Sequence, residues 1–392
     1  MRFQLLTAIV AILVCLLADL YIYMHLRRRP GTAARTVYTV VTLLQYAAIV
    51  TAIVMSRLHS PNLIVMMWLI FGFLSLLVPK IVWVLFNLIA SVPRAFGHGR
   101  MRWLSLTGTA LAVLLFGGMW WGALVNRNRI AVSRVTVESR DWPKAFDGMT
   151  IAQISDLHVG TWGSDTTFVS KLVDRVNGLH PDMIVFTGDI VNRQSDEFAP
   201  FVKPFSRLSA PDGVYAILGN HDYSVYKWWP SDSAREADHS QLIEMHRSTG
   251  HRLLLDENVK LGRGNDSIVV IGVENISKPP YYSCGSLSRA YRAVNDSLPK
   301  ILLSHDPNHW LDEVADNRET NIALTLSGHT HAMQIQVGGL TPASWMYRTP
   351  WGLYTDSIGR HLYVNRGSGT VGMPMRLGAT PEITLITLKR AD

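Results

Sequence analysis

Ala323-Leu324-Thr325-Leu326-Ser327-Gly328-His329-Thr330-His331 is an apolar, strand-forming run that stops at a glycine and two histidines. The same arrangement occurs upstream. Residues 149–155 lead into Asp156-Leu157-His158, residues 183–187 into Gly188-Asp189, residues 214–218 into Gly219-Asn220-His221-Asp222, and residues 301–304 into His305. Short apolar runs rich in β-branched residues read as buried strands. Each delivers Asp, Asn or His at or just past its end, where a sheet presents side chains to a cleft. Those side chains are hard or borderline metal ligands. Together they are numerous enough for two adjacent divalent cations.

Working outward, residues 165–179, 197–208 and 234–249 read as helices between these strands, and 134–139, 267–273 and 382–388 as further strands. Strands with intervening helices indicate an α/β domain. The expected core is a two-sheet β-sandwich flanked by helices. The aromatic and proline-rich stretches 226–231 and 342–354 read as long loops beside the cleft.

The N-terminal third is a different kind of chain. Residues 1–135 hold thirteen Lys and Arg against one acid, Asp19, a net +12; the rest holds 24 Lys and Arg against 29 acids, a net −5. The overall +7 is therefore not a basic nucleic-acid face. It comes from arginines flanking four apolar runs, residues 5–26, 37–55, 63–90 and 104–125, each near or above the ~20 residues that span a bilayer. The first run is followed by Arg27-Arg28-Arg29-Pro30, with no small-residue cleavage site, which speaks against a signal peptide. The expected division is a membrane domain with four transmembrane helices over 1–130 and a catalytic domain over 131–392. Pro79 predicts a kink, and Lys80 must pair or snorkel. Asp19, Lys80, Gln45 and Asn87 are the strongly polar candidates inside the spans, and interhelical contacts are the expected use of them. The first and third connections carry seven arginines against five on the other side. The positive-inside rule then places both termini, and the catalytic domain, outside the cytoplasm. Cys15 and Cys284 lie in different halves, so no disulfide is expected.

Asp-x-His, Gly-Asp, Gly-Asn-His-Asp, a lone His and Gly-His-x-His, in that order over about residues 150–332, resemble the calcineurin-like metallophosphoesterase family. Residues 362–388 resemble the end of its subgroup with N-terminal membrane segments. The resemblance implies a first metal held by Asp156, His158 and His331, a second held by Asn220, His305 and His329, and Asp189 bridging them. It gives His221 the contact to phosphate and the proton for the leaving oxygen, with Asp222 as its orienting partner. It further implies two divalent metals, Mn, Fe, Zn or Co, that activate a water for in-line attack on a phosphoester. The expected substrate is a monoester or diester, with lipid-linked or nucleotide–lipid phosphates attractive because the chain is bilayer-anchored.

Other readings stand beside these. A non-catalytic metal-binding or phosphate-sensing protein would be expected to have lost a ligand, and none is missing. A transporter-associated domain would need more polar spans. His180, His239, His246, His251 and His361 read as solvated surface residues. Asn192 reads equally as a site-lining or a turn residue. Arg366 either meets a phosphate or belongs to a Gly-rich turn. Ala332 and Met333 stand where membrane-anchored relatives often carry glycines, which alters the adjacent pocket.

Overall fold

The computed structural model describes residues 2–27, 31–58, 61–294 and 297–392; Arg28, Arg29 and Pro30 of the first connection lie outside them. Contacts divide the chain into two compact units, Met1–Val125 with Gly372–Met375, and Asn126–Val371 with Arg376–Asp392.

The first unit is built from α1 (Arg2–Arg27), α2 (Thr32–Met55), α3 (Leu63–Ser91) and α4 (Arg102–Leu124). Among the described residues these four helices are long and apolar enough to cross a membrane. A helix satisfies its own backbone groups, which hydrocarbon cannot do. α3 continues through Pro79 as one helix, so the expected kink does not interrupt it. Lys80 pairs instead of snorkelling. Its Nζ lies 2.6 Å from Asp19 Oδ1 and also donates to Gln45 Oε1. Tyr46 donates to Asp19 Oδ2 at 2.7 Å, Tyr38 donates to Asp19 Oδ1, and Gln45 Nε2 donates to Phe73 O at 3.0 Å.

Among its described residues the second unit holds two six-stranded sheets. The strands are β1 (Ala131–Ser139), β2 (Thr150–Ile154), β3 (Met183–Thr187), β4 (Val214–Ile217), β5 (Arg252–Leu253), β6 (Glu257–Arg263), β7 (Asp266–Gly272), β8 (Lys300–Leu303), β9 (Ile322–Ser327), β10 (Gly352–Thr355), β11 (His361–Val364) and β12 (Glu382–Arg390). One sheet runs β1-β12-β2-β3-β4-β5 and the other β10-β11-β9-β8-β7-β6. The helices are α5 (Thr167–Asn177), α6 (Val202–Phe205), α7 (Asp232–Ser248) and α8 (Leu287–Ala290).

Successive side chains of a strand point to opposite faces. Ile151, Val185 and Ile217 meet Val270, Ile301 and Leu303 between the sheets. Ala152, Ile154, Ile184 and Phe186 face α5 through Val169, Leu172 and Val176. Val269, Ile271 and Leu302 face Leu287, Trp310 and Val314 on the far side. Both faces of the central strands are therefore covered, which is why they read as unbroken apolar runs.

Two stretches differ from the sequence reading. Residues 197–208 form short turns and the single-turn α6, because Pro200 and Pro204 remove backbone donors. Residues 342–354 are not all loop: Pro342–Trp345 forms a 3₁₀ turn and the stretch ends in β10. The polar edge strand β6 carries too few apolar residues to announce itself.

Parallel pairing sets the site. Ile154 pairs with Phe186 and Thr187 with Ile217, so the motifs after β2, β3 and β4 leave the sheet at the same end. Leu303 pairs with Leu326, so the residues after β8 and β9 leave the other sheet together.

Candidate metal centre

The ligand atoms of Asp156, His158, Asp189 and His331 all lie within 4.8 Å of one another, and all four residues are buried. His331 Nε2 is 3.2 Å from Asp156 Oδ1 and 3.0 Å from His158 Nε2. His158 Nδ1 donates to Val191 O at 3.1 Å, which leaves Nε2 turned to the cluster, 3.5 Å from Asp189 Oδ2. His305 repeats this arrangement from the other sheet. Its Nδ1 donates to Thr187 O at 2.7 Å and its Nε2 lies 3.2 Å from the same Asp189 Oδ2. His305 Nε2 is buried and makes no hydrogen bond among the described residues. His329 Nδ1 lies 2.8 Å from Asn220 Oδ1. Asp189 Oδ2 is thus approached by two imidazoles, His158 and His305, each anchored through Nδ1 to a backbone carbonyl. Such N and O donors fit divalent transition metals.

The charge balance of the cluster follows from its burial. Burial alone would raise Asp156 and Asp189, but the His331 and His305 rings beside them hold both below the ordinary carboxylate range. Burial pulls His305 down, yet Asp189 pushes it up to about 10. Burial lowers His158 and His221, and takes His329 to about 4.

The backbone takes an unusual path here. Asp156, His158, Asp189, His329 and His331 have φ of 53°, 43°, 59°, 72° and 52°, in the left-handed region. His329 and His331 would share a face on a strand; this turn sends His331 to Asp156 and His158, and His329 to Asn220. The glycines serve two purposes. Gly188 has φ +93°, whereas at Gly328 a Cβ would lie 2.2 Å from Asp156 Oδ2, so there the requirement is space. Ala332 and Met333 also have positive φ, 49° and 47°, conformations that glycine adopts without strain.

Asp222 does not orient His221. Its Oδ2 accepts from the amides of Asp189 (2.8 Å) and Gly219 (2.9 Å), and its Oδ1 from those of Ile190 (2.9 Å) and Val191 (3.2 Å). It clamps the turn that carries Asp189. Burial and the Asp189 carboxylate push its pKa up to about 7 against the pull of those amides. His221 is held instead by Asn192, whose carbonyl accepts from Nδ1 at 2.7 Å, and by Tyr226, whose ring stacks on it at 4.1 Å. Asn192 therefore lines the site through its backbone. Arg366 is paired with Glu382, Nη2 to Oε1 at 3.1 Å, and is not turned to the cluster. His246, His251 and His361 are buried rather than solvated: His246 and His251 pack against phenylalanine rings, and His361 is part of β11; His180 is exposed and His239 half-buried.

Several residues were not read from the sequence. Asp306 is buried, and its Oδ2 lies 3.8 Å from His329 Nε2. Tyr347 OH lies 3.2 Å from the same nitrogen. Asn220 Nδ2 donates to Tyr226 OH at 2.7 Å. The buried Arg376 has Nη2 3.1 Å from His331 Nδ1 and donates from Nε to Gly369 O at 2.6 Å. Asp306 follows His305 directly and the tyrosines sit in the aromatic loops, so those carried a signal; Arg376 carried none.

The comparisons agree with this geometry. "Calcineurin-like phosphoesterase" matches residues 149–333, and "Probable Calcineurin-like phosphoesterase, transmembrane domain" matches residues 1–127. The chain is 32% identical to an uncharacterized metallophosphoesterase, YkuE, of Bacillus subtilis, over 70% of this chain and 91% of the relative. It is 30% identical to a transmembrane protein with metallophosphoesterase domain of Danio rerio, over 73% of this chain and 64% of that one. It is 28% identical to the UDP-2,3-diacylglucosamine pyrophosphatase LpxG of Chlamydia muridarum, over 72% of this chain and 96% of that one. The chain belongs to the calcineurin-like metallophosphoesterases, phosphoric ester hydrolases, in the multi-pass membrane form with a four-helix transmembrane domain.

Proposed function

We propose that residues 131–392 form a two-metal phosphohydrolase domain and residues 1–130 its membrane domain. Asp156, His158 and His331 hold one divalent cation, Asn220, His305 and His329 the other, and Asp189 serves both. One observation carries this reading. His158 and His305, each tied back by Nδ1 to a carbonyl, aim Nε2 at the same Asp189 oxygen at 3.5 and 3.2 Å. A pair of cations such as Mn, Fe, Zn or Co supplies water of lowered pKa and offsets charge on the phosphoryl oxygens. The remaining work falls to the chain. His221, fixed at Nδ1 by Asn192 O and stacked on Tyr226, gives a proton from Nε2 to the leaving oxygen. Asp222 keeps the Asp189 turn in register.

The finer reading is a phosphate diester or pyrophosphate joined to a lipid. Support comes from the apolar loop that carries Val337, Leu340, Trp345 and Met346, with Leu340 80% and Trp345 88% exposed. That loop is pinned to the site by Thr341 Oγ1 donating to Ala332 O at 2.6 Å and by Tyr347 on His329. LpxG, by its name, acts on a nucleotide–lipid pyrophosphate. A domain on the same chain as four spans also meets bilayer-borne substrates at raised effective concentration. The larger share of arginines in the first and third connections favours the extracytoplasmic side for this domain.

Asp189→Asn and His329→Ala are each expected to abolish metal-dependent cleavage of bis(p-nitrophenyl) phosphate while circular dichroism stays unchanged. Full activity in both variants rejects the two-metal reading.

A further inference from the structure

The membrane unit carries a cavity system that hydrolysis does not use. Between α1 and α3 lies a groove of about 390 Å³, lined by Val14, Leu17 and Leu20 on one side and Ile81, Val84 and Leu85 on the other. It shares Tyr21, Met24 and Leu88 with a second cavity of about 230 Å³, to which His25, Ser91, Arg94 and Arg100 contribute. The two cavities adjoin at these shared residues, giving a recess that is apolar along the helices and basic at its end. From Val14 to Met24 the helix rises roughly 15 Å, half of a hydrocarbon core about 30 Å thick. The recess is therefore one leaflet deep.

Its charge is not balanced within the unit. Asp19 is the single carboxylate of residues 1–125, and Lys80 holds it at 2.6 Å. Arg94 stands in the turn Val92–Phe96, and Arg100 just before α4. Arg100 Nη2 donates to Asn87 Oδ1, while its Nε is buried without a hydrogen-bond partner among the described residues. Two guanidiniums at the mouth of a leaflet-deep apolar groove match a phosphate with an acyl chain attached. A choline headgroup brings its own cation and gains less from them. A free phosphate has no use for the groove.

We propose that this recess binds an anionic phosphoglyceride of the bilayer, with an acyl chain along α1 and α3 and the phosphate on Arg94 and Arg100. The inference does not depend on the hydrolytic reading, and the site would persist in an inactive Asp189→Asn protein.

The test is native mass spectrometry of the full-length protein in nonionic detergent. The probes are dioctanoyl phosphatidylglycerol, dioctanoyl phosphatidylcholine and glycerol 3-phosphate. Phosphatidylglycerol is expected to bind roughly tenfold tighter than phosphatidylcholine, and R94Q/R100Q to remove that preference, whereas Arg35→Gln, at the same end of the bundle, keeps it. Leu88→Trp, which fills the groove and leaves both arginines in place, is expected to weaken binding as well. It keeps the proposal testable if R94Q/R100Q does not fold. Equal binding of the two lipids, an unchanged preference in R94Q/R100Q, or unchanged binding in Leu88→Trp would overturn the site as annular contact. Competition by glycerol 3-phosphate at the lipid's own concentration would overturn the role of the groove.

Discussion

Holding a non-glycine residue at positive φ costs of order 1–3 kcal/mol, and Asp156, His158, Asp189, His329 and His331 all adopt it. The strands beneath supply the rigidity that makes this tolerable: Ile154, Phe186 and Leu326 are fully buried. Neighbouring polar groups then finish the job, as Asp222 does for the Asp189 turn with four amides. Elsewhere a titratable residue is buried for packing alone. His246 is enclosed by Phe186, Phe198 and Phe205, with the Phe198 ring 5.2 Å away. Burial, with His251 nearby, lowers its pKa to about 3. Its neutral ring is therefore favoured in the fold above the unfolded pKa of about 6.5 and opposes folding as pH falls from there toward 3. The loss approaches about 1.4 kcal/mol per pH unit. His246→Phe is expected to flatten this limb when the thermal midpoint in detergent is followed from about pH 7 to pH 5. An unchanged limb would place the acid sensitivity elsewhere.

At the scale of elements, α1, α2 and α3 are cross-linked by the Asp19–Lys80 pair with Tyr38, Tyr46 and Gln45 around it. Removing one partner of a buried ion pair costs about 3–5 kcal/mol because the other charge is left alone, whereas removing both costs much less. Lys80→Met is accordingly expected to lower the thermal midpoint of the purified protein, and the D19N/K80M double variant to recover a large part of the loss. A double variant as unstable as the single one would mean that the pair does not couple these helices. The loop with Leu340 and Trp345 is a different kind of element, since it exposes apolar surface beside a polar site. L340S/W345S is expected to slow cleavage of a diacyl pyrophosphate in mixed micelles about tenfold or more, and to leave the soluble aryl diester nearly unaffected. Equal losses on both substrates would assign the loop to folding rather than to lipid.

For the molecule as a whole, the arrangement to test is orientation. The connections between α1 and α2 and between α3 and α4 carry the larger share of arginines. A C-terminal alkaline phosphatase fusion is expected to be active and a green fluorescent protein fusion dark. The reverse result would place the catalytic domain in the cytoplasm and discard the charge argument.

The order of five motifs, the four apolar spans and the α/β character were all legible in the chain, because each depends on neighbours in sequence. A strand run, a glycine and a ligand lie within a few residues of one another. What the chain could not show was who meets whom across it. Asp222 looked like a partner for His221 because it is adjacent, yet its carboxylate turns to the amides of residues 189–191 and 219, and the carbonyl of Asn192 takes its place. Arg376 reaches His331 from 45 residues away with no local signal, and Lys80 finds Asp19 across 61. Local chemistry is written in spacing. Hydrogen-bond partners, backbone sign and the choice of which histidines are buried depend on the packing of the two sheets and the helix bundle, and only the tertiary structure decides them.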